Sequence, residues 1–148
     1  MPAVILWGPP CSGKTTHVEQ RIRPGDVVID LDRIALALDP NAADHDYPDH
    51  VRRMAQAARR AIIDDVVAWG VRSQRTAWVI DSAADQVARA KWRRRGATVV
   101  ELEVDHAECV RRAAATRPPG YARAVDAWFA RHAADAPRPR AASSRRWS

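Results

Sequence analysis

Ala3-Val-Ile-Leu-Trp7 is an unbroken apolar run of strand length, the pattern of a strand buried on both faces. Gly8-Pro-Pro-Cys-Ser-Gly13 follows as a turn, and Lys14 to about Ile22 reads as a helix stopped by Arg23-Pro24-Gly25. A second apolar run, Val27-Val-Ile29, stops at Asp30. Asp32 is placed to cap a short helix through Leu38 that ends near Asp39-Pro40. Residues 41–48 are loop by composition. Asp49 then opens a long helical pattern to about Trp69, with Val51, Met54, Ala58, Ile62 and Val66 at 3-or-4 spacing and Gly70 as its stop. Thr76-Ala-Trp-Val-Ile80 is a third strand, residues 83–95 a helix ended by Gly96, and Thr98-Val-Val-Glu-Leu102 a fourth strand. Helices over residues 106–115 and 121–134 complete the pattern.

Strands alternating with helices predict an α/β fold: a parallel sheet of about four to five strands sandwiched by helices, joined by right-handed crossovers. With 148 residues, 47% of them hydrophobic, the chain has room for one core, and residues 1–135 are expected to form one domain. Residues 136–148 hold two prolines, three serines and four arginines around Trp147, the composition of a flexible basic arm. No apolar stretch approaches the roughly 20 residues of a membrane span, and Met1 leads into a strand without a basic leader. Cys11 and Cys109 are too few for a disulfide framework. The expectation is a cytoplasmic protein with no membrane partner.

The net charge of +6 changes this picture only by where it lies. All 18 acidic residues fall at or before Asp135, so residues 1–135 carry +2 and the excess is largely in the arm, which is placed to contact polyanions. Only Lys14 and Lys91 are lysines among 24 basic residues.

Gly8-Pro9-Pro10-Cys11-Ser12-Gly13-Lys14-Thr15 matches G-x-x-x-x-G-K-[ST] at every fixed position, between a predicted strand and a predicted helix. The chemistry needs these residue types. Glycines let backbone N–H groups wrap a β-phosphate, the helix dipole adds to them, Lys14 reaches the β- and γ-phosphates, and the Thr15 hydroxyl ligates Mg²⁺. Cys11 fills a free position of the loop, and Thr16 is expected at the nucleotide with it.

Ligands of doubly wound sheets bind at the carboxyl ends of strands, which singles out Asp30, Asp32 and Asp81. Asp81, after four apolar residues, has the form of a metal-holding carboxylate, with a helix cap ahead of Ala83 as the alternative. Asp32 reads as a cap, a general base towards a hydroxyl, or both. Arg111, Arg112 and Arg117 precede the break Pro118-Pro-Gly120, which predicts a helical lid placing a guanidinium on a transferring phosphoryl group, Arg117 foremost. Arg52, Arg53, Arg59 and Arg60 recur at 7-residue spacing, either tracking acceptor phosphates or forming a wet face. Arg93-Arg94-Arg95 suits the end of a helix dipole, and Asp44-His45-Asp46 reads as a polar loop.

With these features in this order, residues 3–130 resemble small P-loop kinases, most closely the kinase domain of phage-type polynucleotide 5′-kinases. The resemblance implies ATP as phosphate donor, Lys14 and Thr15 at the donor phosphates, Asp32 as general base towards a 5′-hydroxyl, Arg117 as a lid arginine, and Asp81 as a further family aspartate. That family also places an arginine three residues after its basic aspartate to grip an acceptor phosphate, and here the position is Ala35. The expected activity is ATP- and Mg²⁺-dependent transfer to a nucleic-acid 5′-hydroxyl. A small hydroxyl substrate (nucleoside, nucleotide or metabolite) is the first alternative, and a nucleotide-switched adaptor the second.

Overall fold

The computed structural model describes residues 3–134. The arm at 136–148 lies outside the described residues. Four strands, β1 (Ala3–Trp7), β2 (Val27–Ile29), β3 (Ala77–Asp81) and β4 (Thr98–Glu101), form one parallel sheet in the order β2-β3-β1-β4. Six helices accompany them: α1 (Lys14–Glu19), α2 (Leu31–Leu38), α3 (Asp49–Arg72), α4 (Gln86–Arg94), α5 (His106–Thr116) and α6 (Ala122–Arg131).

The central strand explains its own sequence. Ala3 and Ile5 face a core with Ile29, Ile63, Val67, Val79 and Trp92, while Val4 and Leu6 face Val18 and Trp78. A strand flanked by layers on both sides has no polar positions to offer. Trp7, fully buried at its end, packs against Trp128 of α6 at 5.1 Å between ring centroids, with the Arg89 guanidinium 3.8 Å over its ring. Trp7 is in register with both Asp81 and Glu101, and Ile29 with Val79. The carboxyl ends of β1, β2 and β3 therefore open at one edge, delivering Gly8, Asp30 and Asp81 side by side.

Several expected details shift. The buried side of α3 is Val51, Ala55, Ile63, Val67 and Gly70, whereas Met54 and Ile62 are exposed. The face is rotated because a polar residue, Arg59, sits in its middle and is held there by Asp81. Gly70 does not stop α3; it is buried within it, and the helix runs on to Arg72. Asp30, not Asp32, caps α2, its Oδ1 accepting the Asp32 N–H at 3.1 Å. Asp32 thus stands in the first turn with its side chain free for other work. Similarly, Asp85 caps α4, which begins at Gln86 rather than Ala83. Asp81 Oδ1 instead accepts the Ala83 and Ala84 N–H groups at 2.8 and 3.1 Å in the preceding turn. α1 ends at Glu19 and passes into a turn closed by Ile22 N–H on the Val18 carbonyl.

Candidate functional site

The loop from Gly8 to Gly13 turns sharply between β1 and α1. Gly13 takes φ 91° and Cys11, unusually for a residue with a side chain, φ 64°. Gly8 is required by space, since a Cβ there would stand 2.9 Å from both the Leu102 carbonyl oxygen and Ser12 Oγ. Lys14 folds back into this turn, its Nζ donating to the Gly8 and Pro9 carbonyls at 2.9 and 2.6 Å and to Ser12 Oγ at 3.2 Å. Its ammonium is nearly buried, and that burial pulls its pKa down to about 8 against the opposing field of Asp81 among others.

Above the loop lies a cleft of about 1090 Å³. Residues 10–16 line it, while Gly8 and Pro9 lie outside its lining. Thr15 and Thr16 are exposed at the start of α1. From α5, Arg112 donates through Nη1 to the Cys11 carbonyl at 3.2 Å and through Nε to Glu108 at 2.9 Å, bracing the loop from a position 101 residues away. Arg117, at the end of α5, also lines the cleft. Its Cζ lies 5.6 Å over the Tyr121 ring, and its buried Nε has no hydrogen-bond partner among the described residues. Arg111 is not brought to the cleft; it pairs with Glu108 on the exposed side of α5.

On the opposite wall, Asp32 Oδ1 accepts the Tyr47 hydroxyl at 2.6 Å and Oδ2 lies 3.1 Å from His45 Nδ1. Burial pushes this carboxyl up, but the hydrogen bonds of His45 and Tyr47, together with the charge of Arg117, outweigh it and hold Asp32 below the usual carboxylate range. Burial, and then Asp32 itself, raise the neighbouring Asp30. Burial and the bond to Asp32 push Tyr47 upward, so its phenol stays a donor.

Asp81, at the end of β3, stands between these walls. Its Oδ2 meets Arg59 Nη2 at 3.1 Å while Oδ1 serves the turn at Ala83 and Ala84. The arginine pairs of α3 divide accordingly: Arg52, Arg59 and Arg60 line the cleft and Arg53 does not. His45 and Tyr47 have no counterpart in the sequence reading as partners of Asp32. The available signal was a tyrosine in an otherwise polar loop just ahead of Pro48.

A family model described as an AAA domain matches residues 4–139. The chain belongs to the AAA domain family. No curated protein sequence matches this AAA domain. Among solved structures it is similar to a gluconokinase from Sinorhizobium meliloti 1021, with a TM-score of 0.55 at 17% identity over 96% of this chain and 78% of that one. It is likewise similar to a chain of the Pnkp1/Rnl/Hen1 RNA repair complex, with a TM-score of 0.55 at 14% identity over 99% of this chain and 51% of that one. At such identities the likeness speaks for the fold, which is P-loop NTPase-like and kinase-like. No described helix of the AAA domain is long and apolar enough to cross a membrane.

The fold implies a nucleotide and usually a divalent metal, and the donor set bears on which metal would fit. No group of three or more His, Cys, Asp and Glu side chains converges among the described residues. One exposed hydroxyl, Thr15, would suit Mg²⁺, which takes one or two protein ligands and completes its shell from phosphates and water, while Asp81, whose oxygens already serve Arg59 and the Ala83–Ala84 turn, would fit it through water.

Proposed function

We propose that the protein transfers the γ-phosphate of ATP to a hydroxyl group, with a nucleic-acid 5′-hydroxyl end as the favoured acceptor. The observation that carries this reading is that Asp32, a carboxylate held below the usual carboxylate range, the Lys14 loop and Arg117 all line a single cleft. In this reading the acceptor hydroxyl oxygen attacks the γ-phosphorus as its proton passes to Asp32 and ADP leaves. Lys14, Arg112 and Arg117 balance the charge that gathers on the phosphoryl oxygens. Thr15, with Asp81 through water, would hold Mg²⁺, which would supply further neutralisation of the phosphates.

Support for an anionic acceptor comes from α3. The position after Asp32 where the polynucleotide 5′-kinases it resembles carry an arginine is Ala35, which is fully buried, but Arg59 reaches into the same cleft from another helix. Asp81 fixes that guanidinium. A small hydroxyl substrate is the second reading, favoured by Ala35 and by the likeness in fold to a gluconokinase. Incubation with γ-labelled ATP and a panel of 5′-hydroxyl DNA, 5′-hydroxyl RNA, nucleosides, nucleotides and sugar acids decides between them. Label on the oligonucleotides alone supports the first reading, label on a small compound alone supports the second, and no label on any acceptor sinks both.

A further inference from the structure

We propose that His45 and Tyr47 are positioning residues that clamp the Asp32 carboxylate in the plane from which it meets the acceptor hydroxyl. This deepens the phosphotransfer reading and rests on it.

A carboxylate on a helix turns freely about two side-chain torsions unless both oxygens are held, and a base misdirected by an ångström loses much of its effect. Asp32 is held at three points: its own N–H on Asp30 Oδ1, its Oδ1 by Tyr47, and its Oδ2 by His45. Each oxygen of an ionised carboxylate offers two acceptor directions, so the two donors leave one on each side for a substrate hydroxyl.

The donors are themselves fixed. Tyr47 is buried in a cluster with Ala35, Val51 and Ala55, and the Arg52 guanidinium lies 5.2 Å over its ring. His45 adopts φ 60°, in a turn closed by the Ala43–Asp46 bridge, which is the conformation that swings its imidazole back over α2. Its Nε2 lies 3.5 Å from Asp44 Oδ2, and its ring meets Tyr121 edge-on at 5.9 Å. That last contact makes the clamp continuous with Arg117, which lies over Tyr121. The charged and titratable groups facing Asp32 are thus Asp30 of the β2–α2 junction, His45 and Tyr47 of the loop, and Arg117 and Tyr121 of the α5–α6 connection.

The test uses Tyr47→Phe, which keeps the buried ring and removes only the hydroxyl, with His45→Ala and His45→Gln, the latter restoring an N–H donor. Two readouts are taken on the full chain: the pH profile of kcat/KM for whichever acceptor is labelled, and the titration of the Asp32 carboxyl by carbon NMR in the nucleotide-free protein. Losing a donor to the charged form raises the Asp32 pKa, so the acid limb and the NMR midpoint should move up together by about half to one pH unit. In both Tyr47→Phe and His45→Ala, kcat should fall about 10- to 100-fold at unchanged KM for ATP. His45→Gln should recover most of the loss. An unmoved NMR midpoint in Tyr47→Phe and His45→Ala overturns the clamp whether or not any acceptor is turned over. A shifted midpoint in a protein that labels nothing upholds the clamp and removes the phosphotransfer reading instead. A moved midpoint with wild-type kcat removes the positioning role.

Discussion

Lys14 is the residue in which function and stability conflict most openly. Its ammonium is nearly buried among loop carbonyls, and burial lowers its pKa from 10.5 to about 8. Between those two values the unfolded chain binds more protons than the folded one, so this group makes stability rise with pH across that window. Two and a half pKa units correspond to an upper bound of about 3 kcal/mol lost at neutral pH. We therefore expect Lys14→Met to raise the Tm of the nucleotide-free protein at pH 7 and to flatten its pH dependence between 8 and 10.5, while transfer to any acceptor is abolished. Denaturation scans of both proteins over that range check the first expectation and a γ-labelled ATP assay the second. No other lysine can substitute, since Lys91 is on α4 beside Asp64. Asp32 makes a complementary case. Because Asp30 carries the cap, Asp32→Asn should leave α2 and ATP affinity as they are, lower the Tm modestly by turning an amide N–H₂ toward Tyr47 or His45, and lower turnover by about 10²- to 10⁴-fold. Turnover at the wild-type rate would assign the proton to another group.

Elements locate these residues by steric fit as much as by hydrogen bonds. The end of β1 and the chain leaving β4 approach so closely at Gly8 that Gly8→Ala must push its Cβ against the Leu102 carbonyl and Ser12 Oγ. An overpacked contact of this kind costs about 1–3 kcal/mol. The expected outcome is a lower Tm together with weaker nucleotide binding, measured by titration calorimetry on the same preparation; a wild-type Tm would mean that the loop yields at no cost.

The strands were legible in the sequence nearly to the residue, because β1 and β3 are buried in unbroken runs bounded by Gly8 and Asp81. The face of α3 was not, because hydrophobicity weights Met54 and Ile62 and is blind to an arginine that turns inward to meet a carboxylate. The cap of α2 lies at Asp30 rather than Asp32 for a related reason: with aspartates at both 30 and 32, spacing alone does not say which carboxylate closes the turn. The phosphate loop, Asp32, Arg112 and Arg117 do converge on one cleft. The partners of Asp32 stayed hidden since His45 reaches it only through a left-handed backbone turn, which no periodicity announces.

At the scale of the whole molecule, strand order does the assembling: β3 lies between β2 and β1, so Asp81 and its arginine stand between the carboxylate wall and the phosphate loop. The cleft is lined by seven Lys and Arg side chains against three carboxylates, so it attracts anions without help from the terminal arm. Truncation after Asp135 should accordingly leave folding and transfer to a small acceptor intact while weakening binding to duplex DNA. Four arginines account for a reduction of at most about 3 to 4 in the log–log salt slope. Binding of both lengths of protein across a salt series measures it, and equal slopes would show that the arm does not touch phosphates. Trp7 has a consequence of an optical kind. It directly precedes Gly8, and its indole is coupled to that of Trp128 at 5.1 Å, whose own Nε1 is anchored on the Ser82 carbonyl at 2.6 Å. Two indoles fixed at this separation and tilted by 47° act as a chiral chromophore pair in the near ultraviolet, where signals exist only while packing is rigid. Any loosening of α6 from the end of β1 changes that signal, so the unlabelled protein carries a spectroscopic gauge one residue from its phosphate loop.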